Sequence, residues 1–247
     1  MDKLIYTAMS GASHTLQQQA AVSQNLANTN TPGFRAAINS FRAVPLVGDG
    51  LATRTFVVDS TAGADFTEGV MEPTGRALDI AVNGRGWIAV QTADGKEAYT
   101  RNGSLQVTQN GLLQTRSGLN VQGDAGTITV PPDTQVTIAQ DGTISPVAQG
   151  NQADGAVAIG RIKLTNPPQN VMVRGDDGLF RSNTGQPAEA DAGVTLVNGF
   201  LESSNVNAVE AMVNMISLAR QFETQMKMLS TADSDARQAA KILSING

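Results

Sequence analysis

The chain has no cysteine, one histidine and one tryptophan in 247 residues. The missing thiols exclude disulfides, thiolate zinc sites and cysteine nucleophiles together, and they leave the redox compartment open. His14 has no second histidine with which to build a metal site or a serine triad, so a solvated helix residue is its expected role. No apolar run approaches the length of a membrane span. Polar Ser10, Ser13, His14 and Gln17 to Gln19 interrupt any leader-like hydrophobic segment near the start. Positive charge is also thin. The net charge is −5 with Lys and Arg scattered singly, which leaves no electrostatic footprint for nucleic acid and disfavours an anionic membrane surface.

Nucleotide chemistry fails on detail. Gly84-Arg85-Gly86 opens like a dinucleotide loop, but Ala89 stands where the third glycine belongs. Gly95-Lys96 is followed by Glu97 rather than Ser or Thr, so it is not a phosphate loop. Carboxylate-pair chemistry is the one catalytic class left, and Glu68, Glu72, Asp79 and Asp94 could in principle form such a pair. Turn-borne surface acids explain those residues as well. The expectation is therefore a non-enzyme with no catalytic residue, metal or cofactor.

What is present is periodicity at the two ends. Ala208, Met212, Met215, Ala219, Phe222, Met226 and Leu229 follow alternating steps of four and three, the 3.5-residue repeat that turns one stripe toward a partner helix. Near the N-terminus the same spacing selects Ile5, Met9, Ala12, Leu16, Gln19, Ser23 and Leu26. Neither helix has a covalent neighbour to pack on. Bringing the two termini together, within one molecule or between molecules, buries both stripes. Met212, Met215, Met226 and Met228 read as packing residues, since a flexible thioether fills irregular gaps between similar helices. Asn207 with Glu210 three residues on predicts the start of the second helix, and Asp233 is a place where it could break.

Between the ends, glycine is abundant (25 residues) and aromatics are only 4%, as in a turn-rich β protein. Asn83-Gly84, Asp94-Gly95, Asn102-Gly103, Asn110-Gly111 and Asp141-Gly142 punctuate short alternating segments. That spacing favours an antiparallel sandwich, barrel or meander. Residues 34–44 fit either a short helix or an extended chain, and 48–74 an irregular or hairpin-like connection. The fold class expected is α+β: long N- and C-terminal helices forming a coiled-coil-like assembly region around a central antiparallel β domain. The corresponding division is 1–30 assembly helix, 31–77 connecting segment, 78–200 β domain and 201–247 assembly helix.

Four motifs sharpen this. Asn25-Leu26-Ala27-Asn28 with Thr31-Pro32-Gly33-Phe34-Arg35 resembles the N-terminal motif of bacterial flagellar rod and hook proteins. Leu201-Glu202-Ser203-Ser204-Asn205-Val206 followed by Glu210-Ala211-Met212 is similar to that family's second motif. Leu78-Asp79-Ile80-Ala81-Val82 with Gly84 and Gly86-Trp87, and Tyr99-Thr100-Arg101-Asn102-Gly103, match its central segment. Met1-Asp2, Ile5 to Met9, Pro32, Ala52-Thr53-Arg54 and Trp87 are most like the proximal-rod type.

The resemblance implies a structural subunit of the basal-body drive shaft. It would cross the periplasm, be exported unprocessed by the flagellar type III apparatus, assemble with other rod proteins and copies of itself, and transmit torque. The implied assembly residues are Ile5, Met9, Ala12, Leu16, Leu26, Ala208, Met212, Met215, Ala219, Phe222, Met226 and Leu229. The motif residues are Asn25, Leu26, Ala27, Asn28, Pro32, Gly33, Phe34, Ser204, Asn205 and Val206. Two competing readings are a secreted β-domain adhesin or carbohydrate binder with oligomerising helices, and a rod-associated peptidoglycan hydrolase.

Overall fold

Both seam-bearing segments are helical in the computed structural model, which describes residues 2–45, 55–132, 134–147 and 158–245. Helix α1 spans Asp2–Ala27 and α2 spans Ala208–Ile245. Asn207 caps α2 as its side chain dictates: Oδ1 accepts from the amides of Val209 at 3.1 Å and Glu210 at 3.3 Å. Its 38 residues run on for about 57 Å. No break occurs at Asp233, which instead pairs with Arg237 one turn on at 2.7 Å. Met1 and the segment Ala52-Thr53-Arg54 lie outside the described residues.

The chain divides into two compact units, where the sequence led us to expect four segments. One unit comprises 1–27, 37–65 and 206–247; the other comprises 28–36 and 66–205. The region 31–77 contributes to both units. Its middle forms strands β1 (Ala37–Pro45) and β2 (Thr55–Ala64), an antiparallel pair with a register shift at Ser40/Phe41. This pair packs on α1 and belongs with the helices. The choice left open for 34–44 resolves as extended chain, with the strand beginning at Ala37. Phe41 meets the ring of His14 edge-on, 5.4 Å between centroids, so the lone histidine is a packing residue of this unit.

The helical unit divides the two stripes between an enclosed line and an exposed one. Along α1 the line Ile5, Ala8, Ala12, Thr15, Gln19, Val22 and Leu26 is buried or half-buried throughout, whereas Met9, Leu16 and Ser23 are exposed. Along α2 the enclosed line is Ala211, Met215, Leu218, Phe222, Gln225, Leu229 and Ala232, with Met212 and Met226 left outside. The enclosed line keeps the 3.5-residue period and is rotated by one residue at alternate positions from the apolar stripe read in the sequence. Small side chains explain the rotation, because they let the helices approach closely. Thr15 Oγ1 lies 3.2 Å from Gln225 Oε1, and a Cβ at Gly11 would come within 3.1 Å of the Gln225 side-chain nitrogen.

The β unit is antiparallel wherever its strands pair. Its largest sheet holds nine strands. Trp87–Gln91 sits between Glu97–Thr100 and Asn120–Gly123, and the sheet continues on one side through Phe180–Ser182 to Met172–Arg174. On the other side it runs through Leu113–Thr115 to Leu105–Val107. Ile80–Asn83 pairs with Thr195–Asn198, Phe200–Glu202 pairs with Met71–Pro73, and Val136–Ile138, Thr143–Pro146 and Gly160–Arg161 form a three-stranded sheet. The core is aliphatic: Ile80, Val82, Ile88, Val90, Leu105, Leu113, Val121, Ile144, Ile162 and Leu196 are all almost fully enclosed.

Turn chemistry accounts for most of the punctuation, with one exception. Gly84, Gly95, Gly111 and Gly142 take positive φ as expected, but Gly103 does not. It is needed for proximity instead, because a Cβ there would fall 1.7 Å from the Ile80 carbonyl oxygen.

Candidate functional site

The motifs, scattered over the sequence, meet in the β unit around one carboxylate. Glu202 ends the strand Phe200–Glu202 and is 1% exposed. Its Oε1 lies 2.7 Å from Arg35 Nη2 and accepts the Gly69 amide at 2.9 Å. Its Oε2 accepts from Arg101 Nη1 at 3.0 Å. Its backbone oxygen accepts the Gly33 amide at 2.7 Å. One acid from the second motif thus holds the sole charge of the first motif and the sole charge of the Tyr99–Gly103 segment. Arg101 also donates to the carbonyls of Val82 and Gly84, which ties in the fourth motif. Burial pushes the Arg101 pKa below its ordinary value, against the raising effect of Glu202.

The backbone is fitted to the same junction. Gly33 has φ +69°, and a Cβ there would lie 2.3 Å from the Arg101 carbonyl carbon. Pro32 and Gly33 sit in the turn that follows α1, with the Phe34 amide donating to the Thr31 carbonyl at 3.2 Å. Phe34 is buried under the Arg174 guanidinium, 4.3 Å from its ring centroid, and Arg174 Nη1 donates to the Arg35 carbonyl. Asn205 Oδ1 accepts the Ala36 amide at 2.7 Å while its Nδ2 reaches the Thr67 carbonyl at 3.1 Å. Arg35 Nη1 donates to that same carbonyl. Of the motif residues expected, Pro32, Gly33, Phe34 and Asn205 are therefore at or beside the junction. Ser204 and Val206 are half-buried in the chain next to it, and Asn28 accepts the Thr31 amide through its carbonyl.

Asn25, Leu26 and Ala27 close α1 in the helical unit. Asn25 clamps Ala37 from both sides: Oδ1 accepts its amide at 2.7 Å and Nδ2 donates to its carbonyl at 2.9 Å. The expected assembly residues split between two environments. Ala12 is buried; Ile5, Leu26, Ala208, Met215, Ala219, Phe222 and Leu229 are half-buried; Met9, Leu16, Met212 and Met226 are exposed. Tyr6, Val209, Val213, Ile216 and Met228 are exposed as well, and none of them lies on the heptad line read from the sequence.

The acids that had been candidates for catalysis are occupied or solvated. Asp79 is buried against Arg76 at 3.1 Å. Glu97, an acid beside the central motif, is gripped by Lys163 Nζ at 2.8 Å and accepts from Tyr99 Oη at 2.8 Å. Tyr99 Oη in turn accepts the Ala188 amide at 2.6 Å, and burial pushes its pKa up to about 12. Glu68, Glu72 and Asp94 are exposed. Among the described residues no group of three or more acids and histidines could hold a metal ion. Trp87 and Tyr99 are 5% and 1% exposed, so neither forms a stacking platform for a sugar.

A buried Arg–Glu–Arg node joins the distant motifs, and sequence kinship identifies the family that they mark. Residues 5–35 match the flagella basal body rod protein family, 81–146 the flagellar hook protein FlgE/F/G D1 domain, and 197–242 the flagellar basal body rod FlgEFG protein C-terminal family. The chain is 50% identical to flagellar basal-body rod protein FlgF of Escherichia coli over the full length of both. Identity is 32% to FlgF of Caulobacter vibrioides, covering 98% of each chain, and 34% to flagellar basal-body rod protein FlgG of Buchnera aphidicola from Acyrthosiphon pisum, covering 86% of this chain and 88% of that protein. The chain belongs to the flagellar basal-body rod protein family. Within it, the full-length kinship is with proximal-rod members, which makes it a structural subunit of the rod and not an enzyme.

Proposed function

We propose that the chain builds the proximal rod by lateral helix contacts with other rod proteins and with copies of itself, and so transmits motor torque across the periplasm. The observation that carries this is the apolar face left on α2. Val209, Met212, Val213 and Ile216 are between 52% and 71% exposed, with Met226 and Met228 further along. Such a run of exposed large apolar side chains on one helix is costly unless a partner covers it. Met9 and Leu16 provide the corresponding outlook on α1. Torque transfer needs many shared contacts rather than one site, which suits a stripe along a helix about 57 Å long. Export unprocessed by the flagellar type III apparatus completes the reading.

Met212→Glu combined with Ile216→Glu tests it. Both side chains are more than half exposed, so the monomer keeps its far-ultraviolet circular dichroism and its melting midpoint. Cells carrying the variant are expected to lack rods distal to the subunit and not to swim. Normal motility with the double variant incorporated into basal bodies would remove the stripe from the assembly surface.

A further inference from the structure

Beside the motif junction the β unit contains a cavity of about 210 Å³, with Arg35, Arg101, Trp87 and Gly86 among its walls. Arg85, Asn166, Pro168 and Gln169 line it too, and all four are exposed, so they form its mouth. The volume is below the roughly 300 Å³ at which small-molecule and cofactor sites begin, and it suits one side-chain-sized group. Three guanidinium groups meet here, against Glu202 as the one buried acid of the junction. Glu68, exposed, also acts on Arg101. The Nε–H groups of Arg35 and Arg101 are buried and make no hydrogen bond among the described residues. Arg35 and Arg101, 1% and 4% exposed, share Glu202 as their one buried counter-charge, so with Arg85 at the mouth the cavity keeps an excess of positive charge.

We propose that this cavity is a seat for a carboxylate, supplied as the acidic side chain of a neighbouring polypeptide. Charge selects an anion, and the planar guanidinium fork favours a carboxylate among anions. Phe66, Trp87 and Pro167 give the walls an apolar component that accommodates the methylenes of such a side chain. The polypeptide source rests on the rod-assembly reading, whereas carboxylate binding itself does not.

Trp87, the only tryptophan of the chain, lines the cavity and supplies the readout. The full-length monomer is titrated with N-acetylglutamate, and in parallel with N-acetylglutamine plus sodium chloride at matched ionic strength, while Trp87 fluorescence is followed. A saturable change with the acid alone, on the order of millimolar, is expected. Arg85→Gln, at the exposed mouth, should weaken it about two- to fivefold at an unchanged melting midpoint, the range of an exposed ion pair. An equal response to the amide or to chloride, or indifference to Arg85→Gln, overturns the seat. In a second arm, a hexapeptide with a central glutamate should bind more tightly than N-acetylglutamate. If it binds no more tightly, the polypeptide source is refuted while the carboxylate seat stands.

Discussion

Removing the Glu202 carboxylate should cost more stability than removing either arginine that holds it. The cluster of Arg35, Glu202 and Arg101 carries one net positive charge, with side chains 1%, 1% and 4% exposed. Glu202→Ala leaves two guanidinium groups enclosed together with no counter-charge and strips the Gly69 amide of its acceptor at 2.9 Å. Breaking a buried pair in this way typically costs about 3–5 kcal/mol. Glu202→Gln keeps the volume and one acceptor but loses the charge-assisted bonds, worth about 1.5–3 kcal/mol. Arg101→Met leaves a neutral Arg35–Glu202 pair and should be mildest, although the Val82 and Gly84 carbonyls lose their donor.

Urea unfolding followed by Trp87 resolves the three, with a constant slope as the sign that only stability has changed. Since domain stabilities are about 5–15 kcal/mol, Glu202→Ala should shift the midpoint severely. The control is Asp177→Asn, which removes an ion pair with Arg181 whose side chains are 35% and 43% exposed. That change should cost no more than about 1 kcal/mol and fade with salt. A cost below about 1 kcal/mol for Glu202→Ala, or Arg101→Met proving the worst of the three, would refute the reasoning.

Other outcomes follow from the same geometry. Gly33→Ala should destabilise by more than about 1 kcal/mol, since it combines positive φ with a close approach to the Arg101 peptide; a chemical melt within a few tenths of wild type would count against this. Tyr99 is protonated in the fold up to about pH 12 against a normal value of 10.0. Its contribution is thus fully present below pH 10 and lost as pH rises toward 12. Tyr99→Phe should flatten the stability profile in that window, and an unchanged alkaline slope would argue otherwise. In native-state hydrogen exchange, Ala208 to Leu229 should be less protected than Ile88 and Val90, because the buried residues of α2 are the small Ala211 and Ala232. Equal protection would show that the helical unit is as stable as the β unit.

Much of the fold was legible because its signals are local. Heptad spacing announces both helices, the Asn207 cap fixes the start of α2, and Asn-Gly and Asp-Gly pairs mark the turns. The β1/β2 pair was not legible, since residues 37–64 lack clean alternation and their packing on α1 is a long-range matter. The junction was half visible. Arg35 and Arg101 each stand as the lone charge in an otherwise neutral motif, and Glu202 is the one charge of the run Leu201–Val206; opposite lone charges in distant segments are a pairing signal. Only the topology says that they meet. Sequence spacing put Phe34 and Gly33 on view but could not show that Gly33 is glycine because Arg101 lies against it.

The seam teaches the finer lesson. A heptad pattern counts apolar residues, and by that count Met9, Leu16, Met212 and Met226 rank above Ala8, Thr15, Ala211 and Gln225. The folded chain inverts the ranking on the enclosed line. Close approach between α1 and α2 rewards small side chains, with Thr15 and Gln225 matching their polar atoms at 3.2 Å. Met9, Leu16, Met212 and Met226 gain nothing from that contact and stay outside. Hydrophobic burial scales with apolar area, about 25 cal/mol per Å², so this pairing uses little of what the two helices can offer. What remains unspent on α2 is the face carrying Val209, Met212, Val213 and Ile216. Ala211→Leu separates the two uses of the helix. Overpacking the enclosed line should cost the monomer about 1–3 kcal/mol, while Met212→Glu should leave monomer stability within about 0.5 kcal/mol of wild type. If the two variants destabilise the monomer equally, the small-residue line is not the internal seam.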